Sequence, residues 1–159
     1  KPCVGVSTLE ALAEGPAPLP GILVGVMDAR RAQVYCGIFT VSEGVLTRLA
    51  PDRAMALSDL VCEVMRDYPG NTVYLAGDGY DIAHAAFLDA GCPGLAETPP
   101  ALRAQDAAAV ARCALRAYRN GLAVTDDELR PVYLRLPQAE RDLIEKGKDN
   151  SKEHHHDEA

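Results

Sequence analysis

The region from Ile22 to Val41 constrains the fold most, because it contains two strand patterns joined by a very short connection. Ile22–Asp28 is an apolar run that is typical of a buried strand, and Gln33–Val41 is rich in β-branched and aromatic residues. Only Ala29-Arg30-Arg31-Ala32 lies between them. A connection of this length predicts an antiparallel hairpin. Two arginines directly after an acidic residue stand at its tip, and core packing alone does not require them there.

The pattern around the hairpin predicts one more antiparallel strand and several helices. Ser7 and Glu10 have the spacing of a capping box, which predicts a helix to about Glu14. The turn at Glu43-Gly44 leads into a third strand. The other predicted elements are strands at Val4–Val6, Val45–Leu49, Thr72–Ala76 and weakly at Leu95–Glu97, helices at Ser58–Tyr68, Asp81–Ala90, Gln105–Asn120 and Gln138–Lys146, and an extended segment at Pro131–Leu136.

Three antiparallel strands followed by strand–helix units predict a mixed sheet covered by helices. From Ile22 onward the order is β-β-β-α-β-α-(β)-α. This order is similar to that of the ribonuclease H-like fold, which actin-like ATPases use in each of their two lobes. We therefore predict an α/β protein of this fold class, although fold analogy alone says nothing about catalysis. Residues 147–159 are charged and lack large apolar side chains, so we expect them to be disordered.

The composition argues against several classes of protein. Lysines and arginines number 16 against 23 aspartates and glutamates, which gives a net charge of −7. Since phosphate neutralisation supplies most nonspecific affinity for nucleic acids, we expect a chain this acidic to bind RNA poorly by itself. No run is long and apolar enough to cross a bilayer.

The cysteines are odd in number and widely spaced, and they form no Cys-x-x-Cys pair. Their neighbours in the sequence are mostly apolar. We expect buried, reduced thiols in a cytoplasmic protein rather than disulfides or a zinc site. The five positions are Cys3, Cys36, Cys62, Cys92 and Cys113.

Asp28 stands where catalytic relatives of this fold place a carboxylate, and Asp78 lies in a turn where a phosphate or adenosine could be bound. Asp28 ends the first strand of the predicted lobe, and Asp78 lies in a Gly77-Asp78-Gly79 turn between a strand and a helix. Together they could bind magnesium, which takes one or two carboxylates plus substrate phosphates. However, Ala29 and the arginines after Asp28 would crowd a nucleotide, and no lysine follows the glycines. We therefore favour a structural role, in which Asp28 binds turn amides or pairs with an arginine.

Arginines in restricted positions are the strongest candidates for contacting a partner or RNA. Arg30 and Arg31 lie at the hairpin tip, and Arg135 lies between two prolines. A guanidinium with little freedom offers a fixed fork to a carboxylate or a phosphate. Tyr35 and Tyr133 could flank this site. A structural ion pair explains the arginines equally well.

The histidines suggest no defined metal site. His84 is isolated in a predicted helix, where a surface or packed residue is the more common situation. A triplet at His154–His156 lies in the charged tail. The sequence contains neither a His-Glu-x-x-His motif nor a Gly-x-Ser-x-Gly elbow, so nothing in it indicates a metallopeptidase or a serine hydrolase. We expect no cofactor and no bound metal.

Several of these segments resemble the bacterial TsaB (YeaZ) family. The strongest are Val4–Ala13, Asp28–Tyr35 and Pro131–Glu140, and Gly77–Gly79 agrees with them. The likeness extends to about Lys146. The family's proteins have two lobes, and the motifs that open the first lobe are absent here. The resemblance therefore implies that residues 1–21 are the last strand and helix of that lobe with a linker, that residues 22–146 form the C-terminal lobe, and that residues 147–159 are a tail.

The resemblance also implies a function. TsaB-like subunits are regarded as non-catalytic scaffolds for TsaD, which transfers threonylcarbamoyl to an adenosine beside the anticodon of tRNA, and the ATPase TsaE joins them. It implies homodimers of the full-length protein and contact with tRNA only through the complex. Two alternatives remain. The first is an ATP- or metal-dependent hydrolase that uses Asp28 and Asp78, and the second is a glycopeptidase, an older label for relatives of this family.

Overall fold

A computed structural model describes residues 1–135 of the chain. The helix predicted at 138–146 and the tail at 147–159 lie outside the described residues. The elements are α1 (Thr8–Glu14), β1 (Gly21–Asp28), β2 (Gln33–Ser42), β3 (Val45–Ala56), α2 (Leu57–Asp67), β4 (Val73–Ala76), α3 (Tyr80–Asp89) and α4 (Ala107–Arg119), with a 3-10 turn at Pro100–Leu102.

The strands form one mixed sheet in the order β3-β2-β1-β4. β1 pairs antiparallel with β2 along its whole length and parallel with β4 from Ile22 to Gly25. The predicted hairpin and the predicted fold class are confirmed. Because β1 and β4 are parallel neighbours, their carboxyl ends lie side by side, and Asp28 and Asp78 are brought to the same edge of the sheet.

The alternation of β1 side chains divides the core between the two faces of the sheet. Ile22, Val24 and Val26 are buried under α2 and α3. Leu23 packs against Ala13 of α1 on the opposite face. β1 is thus buried on both sides, which explains its continuous apolar sequence.

α1 lies directly on β1, and a glycine permits the close approach. A Cβ added at Gly25 would lie 2.4 Å from the carbonyl oxygen of Leu9. Ser7 caps α1 by accepting the Glu10 N–H, as the sequence predicts. Glu14 at the other end of the helix is buried against α4. The assignment of residues 1–21 to another lobe stays a prediction, while α1 packs here as part of the core.

β3 extends beyond the predicted strand, which ended at Leu49. It continues through Pro51 to Ala56, with irregular register opposite Cys36 to Phe39. Proline is tolerated because β3 is an edge strand, where one row of N–H groups needs no partner. The strand runs directly into α2, so the predicted capping by Ser58 is wrong. The first α2 amide, Leu57 N–H, bonds instead to the Ala32 carbonyl at the hairpin tip.

Other predicted elements also differ in detail. The strand predicted at Val4–Val6 is absent, and only Cys3 makes a bridge there, with Val124. The weak strand near Leu95–Glu97 is a single bridge between Leu95 and Val73. Asp81 lies inside the first turn of α3 rather than at its cap, which is Gly79.

The cysteines have different exposures. Cys36 and Cys113 are buried, and burial raises the pKa of each thiol to about 11. Cys62 is exposed, contrary to expectation, because α2 turns its neighbours Val61 and Val64 toward the core. All five thiols are unpaired. In the part of the chain that the structure describes, no helix has the length and apolarity that a membrane span requires.

Candidate functional site

The β1–β2 connection has an unusual left-handed backbone. Arg30, Arg31 and Ala32 have φ angles of 66°, 53° and 57°. For residues other than glycine this conformation costs about 1–2 kcal/mol each. The turn is therefore maintained by surrounding contacts rather than by local preference.

The strand ends and the adjoining carboxylate supply several of these contacts. The Asp28 carboxylate accepts the Arg30 N–H at 2.7 Å. Backbone hydrogen bonds join Ala29 N–H to the Gln33 carbonyl at 2.9 Å and Gln33 N–H to the Arg30 carbonyl at 3.0 Å. Asp28 also pairs with the Arg30 guanidinium at 3.4 Å. These are the two structural roles that the sequence suggests for Asp28.

A residue from the far end of the described chain provides a further contact. Arg135 Nη1 donates to the Ala29 carbonyl oxygen at 2.9 Å. Arg135 is half-buried and lines a groove of about 940 Å³ together with Tyr35 and Tyr133. The structure thus brings the predicted arginine and both tyrosines to the hairpin tip, although the sequence separates them widely.

The arginines and tyrosines at the hairpin tip differ in their exposure to solvent. The Arg30 side chain is 88% exposed, and Arg31 is also exposed. Tyr133 is 83% exposed, whereas Tyr35 is half-buried and packs beside Leu9 and Leu12 of α1. Among residues 1–135, no acidic side chain pairs with Arg31.

The two residues considered for catalysis are joined by one hydrogen bond. Asp78 Oδ1 accepts the backbone N–H of Asp28 at 3.3 Å. Gly77 makes this approach possible, since its φ is 125° and a Cβ there would lie 2.0 Å from the Val26 carbonyl oxygen. Residues 1–135 contain no group of three or more His, Cys, Asp or Glu side chains placed to hold a metal ion. A magnesium ion bound here would need substrate oxygens in addition to the two carboxylates.

Comparison with known proteins finds relatives both by sequence and by structure. A stretch of 77 residues, 48% of the chain, is 32% identical to the tRNA threonylcarbamoyladenosine biosynthesis protein TsaB of Bacillus subtilis. Two solved Pseudomonas aeruginosa structures share the fold at 20% identity. One is described as an uncharacterized protein with similarity to peptidase YEAZ, and the other is YeaZ. This chain is thus similar to TsaB in sequence over about half of its length and to YeaZ in fold.

The matches cover only part of the length of each relative. The aligned stretch spans 33% of the B. subtilis protein. The structural matches have TM-scores of 0.60 and 0.59, cover 85% and 84% of this chain, and cover 60% and 59% of the two P. aeruginosa chains. No family model matches the sequence.

A network of charges fixes α1 between β3 and α4. Arg116 Nη2 donates to Glu10 at 2.9 Å and to Glu14 at 3.1 Å. Arg112 also pairs with Glu14, at 3.2 Å. Arg48 of β3 reaches Glu10 at 3.1 Å. Hydrogen bonds to the two glutamates raise the pKa of the Arg116 guanidinium, although burial opposes them.

The sequence contained a signal for this network. Glu10 and Glu14 are four residues apart on one helix, and Arg112 and Arg116 are four residues apart on another. Side chains with this spacing share one helix face. An acidic face and a basic face of matching spacing predict a helix pair.

His84 belongs to a second cluster of polar and aromatic side chains. Glu97 accepts the Tyr80 hydroxyl at 2.8 Å and the Arg103 guanidinium at 2.9 Å, and it lies 3.1 Å from His84 Nε2. The Arg103 guanidinium lies 3.9 Å from the Tyr80 ring centroid, and the His84 ring stacks on Tyr80 at 5.4 Å. His84 is thus part of a packed structural cluster that joins α3 to the 97–103 loop. The four-residue spacing of Tyr80 and His84 was its only sequence signal.

Proposed function

We propose that this chain is part of a non-catalytic scaffold subunit for threonylcarbamoyladenosine formation on tRNA. In this proposal it supports a TsaD-like threonylcarbamoyltransferase, and a TsaE-like ATPase joins the assembly. The observation that carries the proposal is the 32% identity over 77 residues to a protein named for that biosynthesis. Contact with tRNA occurs through the complex, because the net charge of −7 opposes binding of RNA to this chain alone.

The geometry at the sheet edge supports a scaffold role. Asp28 is engaged by the Arg30 amide and guanidinium, and Asp78 accepts the Asp28 amide. Both carboxylates therefore stabilise the backbone of the tip. The residues with free surface there are arginines and a tyrosine, which are the side-chain types enriched at the energetic centres of protein interfaces.

The experiment is to deplete the full-length protein in the source cell and to quantify threonylcarbamoyladenosine in bulk tRNA by mass spectrometry. We expect the nucleoside to collapse. An unchanged threonylcarbamoyladenosine level would show that the proposed function is wrong.

A second candidate is an ATP- or metal-dependent hydrolase that uses Asp28 and Asp78. One observation favours it, namely that the two residues meet at the carboxyl ends of adjacent parallel strands, where α/β proteins commonly bind ligands. The double variant Asp28→Asn/Asp78→Asn separates the two proposals. A scaffold should still restore threonylcarbamoyladenosine in depleted cells with some loss of stability, whereas a hydrolase should lose its activity.

A further inference from the structure

The hairpin tip and the segment from Pro131 to Arg135 are in direct contact. Arg135 joins them through its hydrogen bond to the Ala29 carbonyl. Along the chain, Arg31 is two residues from Ala29 and Tyr133 is two residues from Arg135, and two residues span at most about 7 Å even when fully extended. A single partner with a standard footprint of about 800 Å² can therefore cover both.

The surface combines apolar and cationic groups that are well exposed. Val132 and Tyr133 are each 83% exposed, the highest values among the large hydrophobic residues of the described chain. Arg30 and Arg31 project from a turn whose left-handed backbone is fixed by contacts on several sides. A guanidinium on a fixed backbone loses less entropy on binding than one on a mobile loop, so this arrangement favours specific recognition.

The charges at the hairpin tip favour a protein partner over a nucleic acid. Asp28 already occupies the Arg30 amide and partly neutralises its guanidinium, and Asp78 lies beside it. A phosphate chain would bring several charges close to these carboxylates, and would gain little from the neighbouring Val132. A protein surface needs to present only one carboxylate to Arg31 beside an apolar patch for Tyr133. Charge complementarity thus favours an acidic protein surface.

We propose that Arg31, Val132 and Tyr133 form a docking surface for an acidic, partly apolar patch on a protein partner, and that Arg135 is the positioning residue that unites it. The proposal deepens the proposed function, and it rests on it for the existence of a protein complex. The carboxylate of the partner binds Arg31 as a bidentate pair, while Tyr133 packs on the apolar part of the patch.

The test places a photo-reactive p-benzoylphenylalanine at Tyr133 of the full-length protein in the source cell. Irradiation should give a covalent adduct to a defined protein, and mass spectrometry should place the crosslink beside an Asp or Glu of that protein. The charge reversal Arg31→Glu should reduce the adduct at least tenfold. Changing the identified carboxylate of the partner to Lys should then restore it.

The matched controls use Tyr118 and Arg119, an exposed tyrosine–arginine pair at the end of α4. The same photo-reactive residue at Tyr118 should not give this adduct, and Arg119→Glu should leave the adduct at position 133 unchanged. The positioning role of Arg135 predicts that Arg135→Met lowers the adduct yield and that Arg135→Lys retains part of it.

Four results would overturn the proposal: no protein adduct at position 133, an adduct to RNA, an adduct to a second copy of this chain, or a yield that Arg31→Glu does not change. Failure of the proposed function is read separately, from the threonylcarbamoyladenosine content of the same cells after depletion. If the adduct is specific and depends on charge, but depletion leaves the nucleoside content unchanged, the proposed docking surface stands and the proposed role in threonylcarbamoyladenosine formation is wrong.

Discussion

Arg135 donates a hydrogen bond of 2.9 Å to the carbonyl of Ala29, which lies 106 residues earlier in the chain. This contact connects the segment that follows α4 with the strained turn between β1 and β2. Hydrogen bonds from a charged donor contribute about 1.5–3 kcal/mol, which is comparable to the cost of one left-handed residue. The guanidinium therefore helps to determine the conformation of the turn.

Loss of the Arg135 guanidinium should loosen the turn. Arg135→Met removes about 1.5 kcal/mol of support, which is roughly a tenfold rise in the population of the opened turn. Since trypsin cleaves after Arg30 and Arg31 only when the turn opens, limited proteolysis should be several-fold faster there. Arg130→Met in the same segment is the control, because among residues 1–135 the Arg130 guanidinium bonds to the neighbouring Leu129 carbonyl and not to the turn. Equal cleavage of both variants would contradict the role of Arg135.

Adding a methyl group between α1 and β1 should destabilise the fold. In Gly25→Ala the new Cβ would lie 2.4 Å from the Leu9 carbonyl oxygen, so α1 must shift. Overpacking of this kind costs about 1–3 kcal/mol. Urea unfolding measures the change in the free energy of unfolding. Gly5→Ala is the matched control, since its Cβ would meet only the flexible end of Leu129 at 3.4 Å. A Gly25→Ala variant as stable as that control would refute the packing of α1.

The cluster around Glu97 predicts a pH-dependent contribution to stability. The Tyr80 hydroxyl, followed by the charges of His84 and Arg103, holds the pKa of Glu97 below its ordinary value of 4.5. Ionised Glu97 therefore contributes stability that is present above pH 4.5 and is lost as the pH falls through the lowered pKa. Glu97→Gln should lower the melting temperature at neutral pH, and the difference from wild type should shrink below pH 4.5.

Melting curves of both proteins across this pH range provide the measurement. Glu43→Gln is the control, because Glu43 is exposed and makes no ion pair within the described residues. A difference for Glu97→Gln that stays constant down to the acid unfolding transition would show that the ionised carboxylate contributes nothing.

The cysteines should differ in reactivity. A pKa of about 11 leaves the thiols of Cys36 and Cys113 as thiolate in about one molecule per thousand at pH 8, and both are buried. Cys62 is exposed on α2. Iodoacetamide at pH 8 should modify Cys62 first, as followed by peptide mass spectrometry, and urea should make all five react. Rapid modification of Cys36 in the folded chain would contradict its place in the core.

Local sequence signals predicted an element correctly where the burial pattern and the backbone preference agreed. The apolar run at 22–28 and the β-branched run at 33–41 predict β1, β2 and their hairpin. The capping box at Ser7 predicts the start of α1. Local signals failed to predict an element where a long-range contact replaced the local contact that the sequence suggested. The backbone bond from Leu57 to Ala32 takes the place of the predicted Ser58 cap, and pairing with β2 carries β3 through Pro51.

By itself, the sequence determined β1, β2, their hairpin, β4 and the approximate positions of the four described helices, and it singled out Arg30, Arg31, Tyr35, Tyr133 and Arg135 as candidates for contact with a partner. Side-chain period and turn length are local properties, so they can be read without knowing the fold. Only the tertiary structure decided that Arg135 reaches Ala29, that Asp78 meets Asp28, and that Glu97 joins His84 to Tyr80. These contacts depend on the parallel pairing of β1 with β4 and on the path of the chain after α4. Chain entropy opposes such long-range pairings, and only the packed core offsets it.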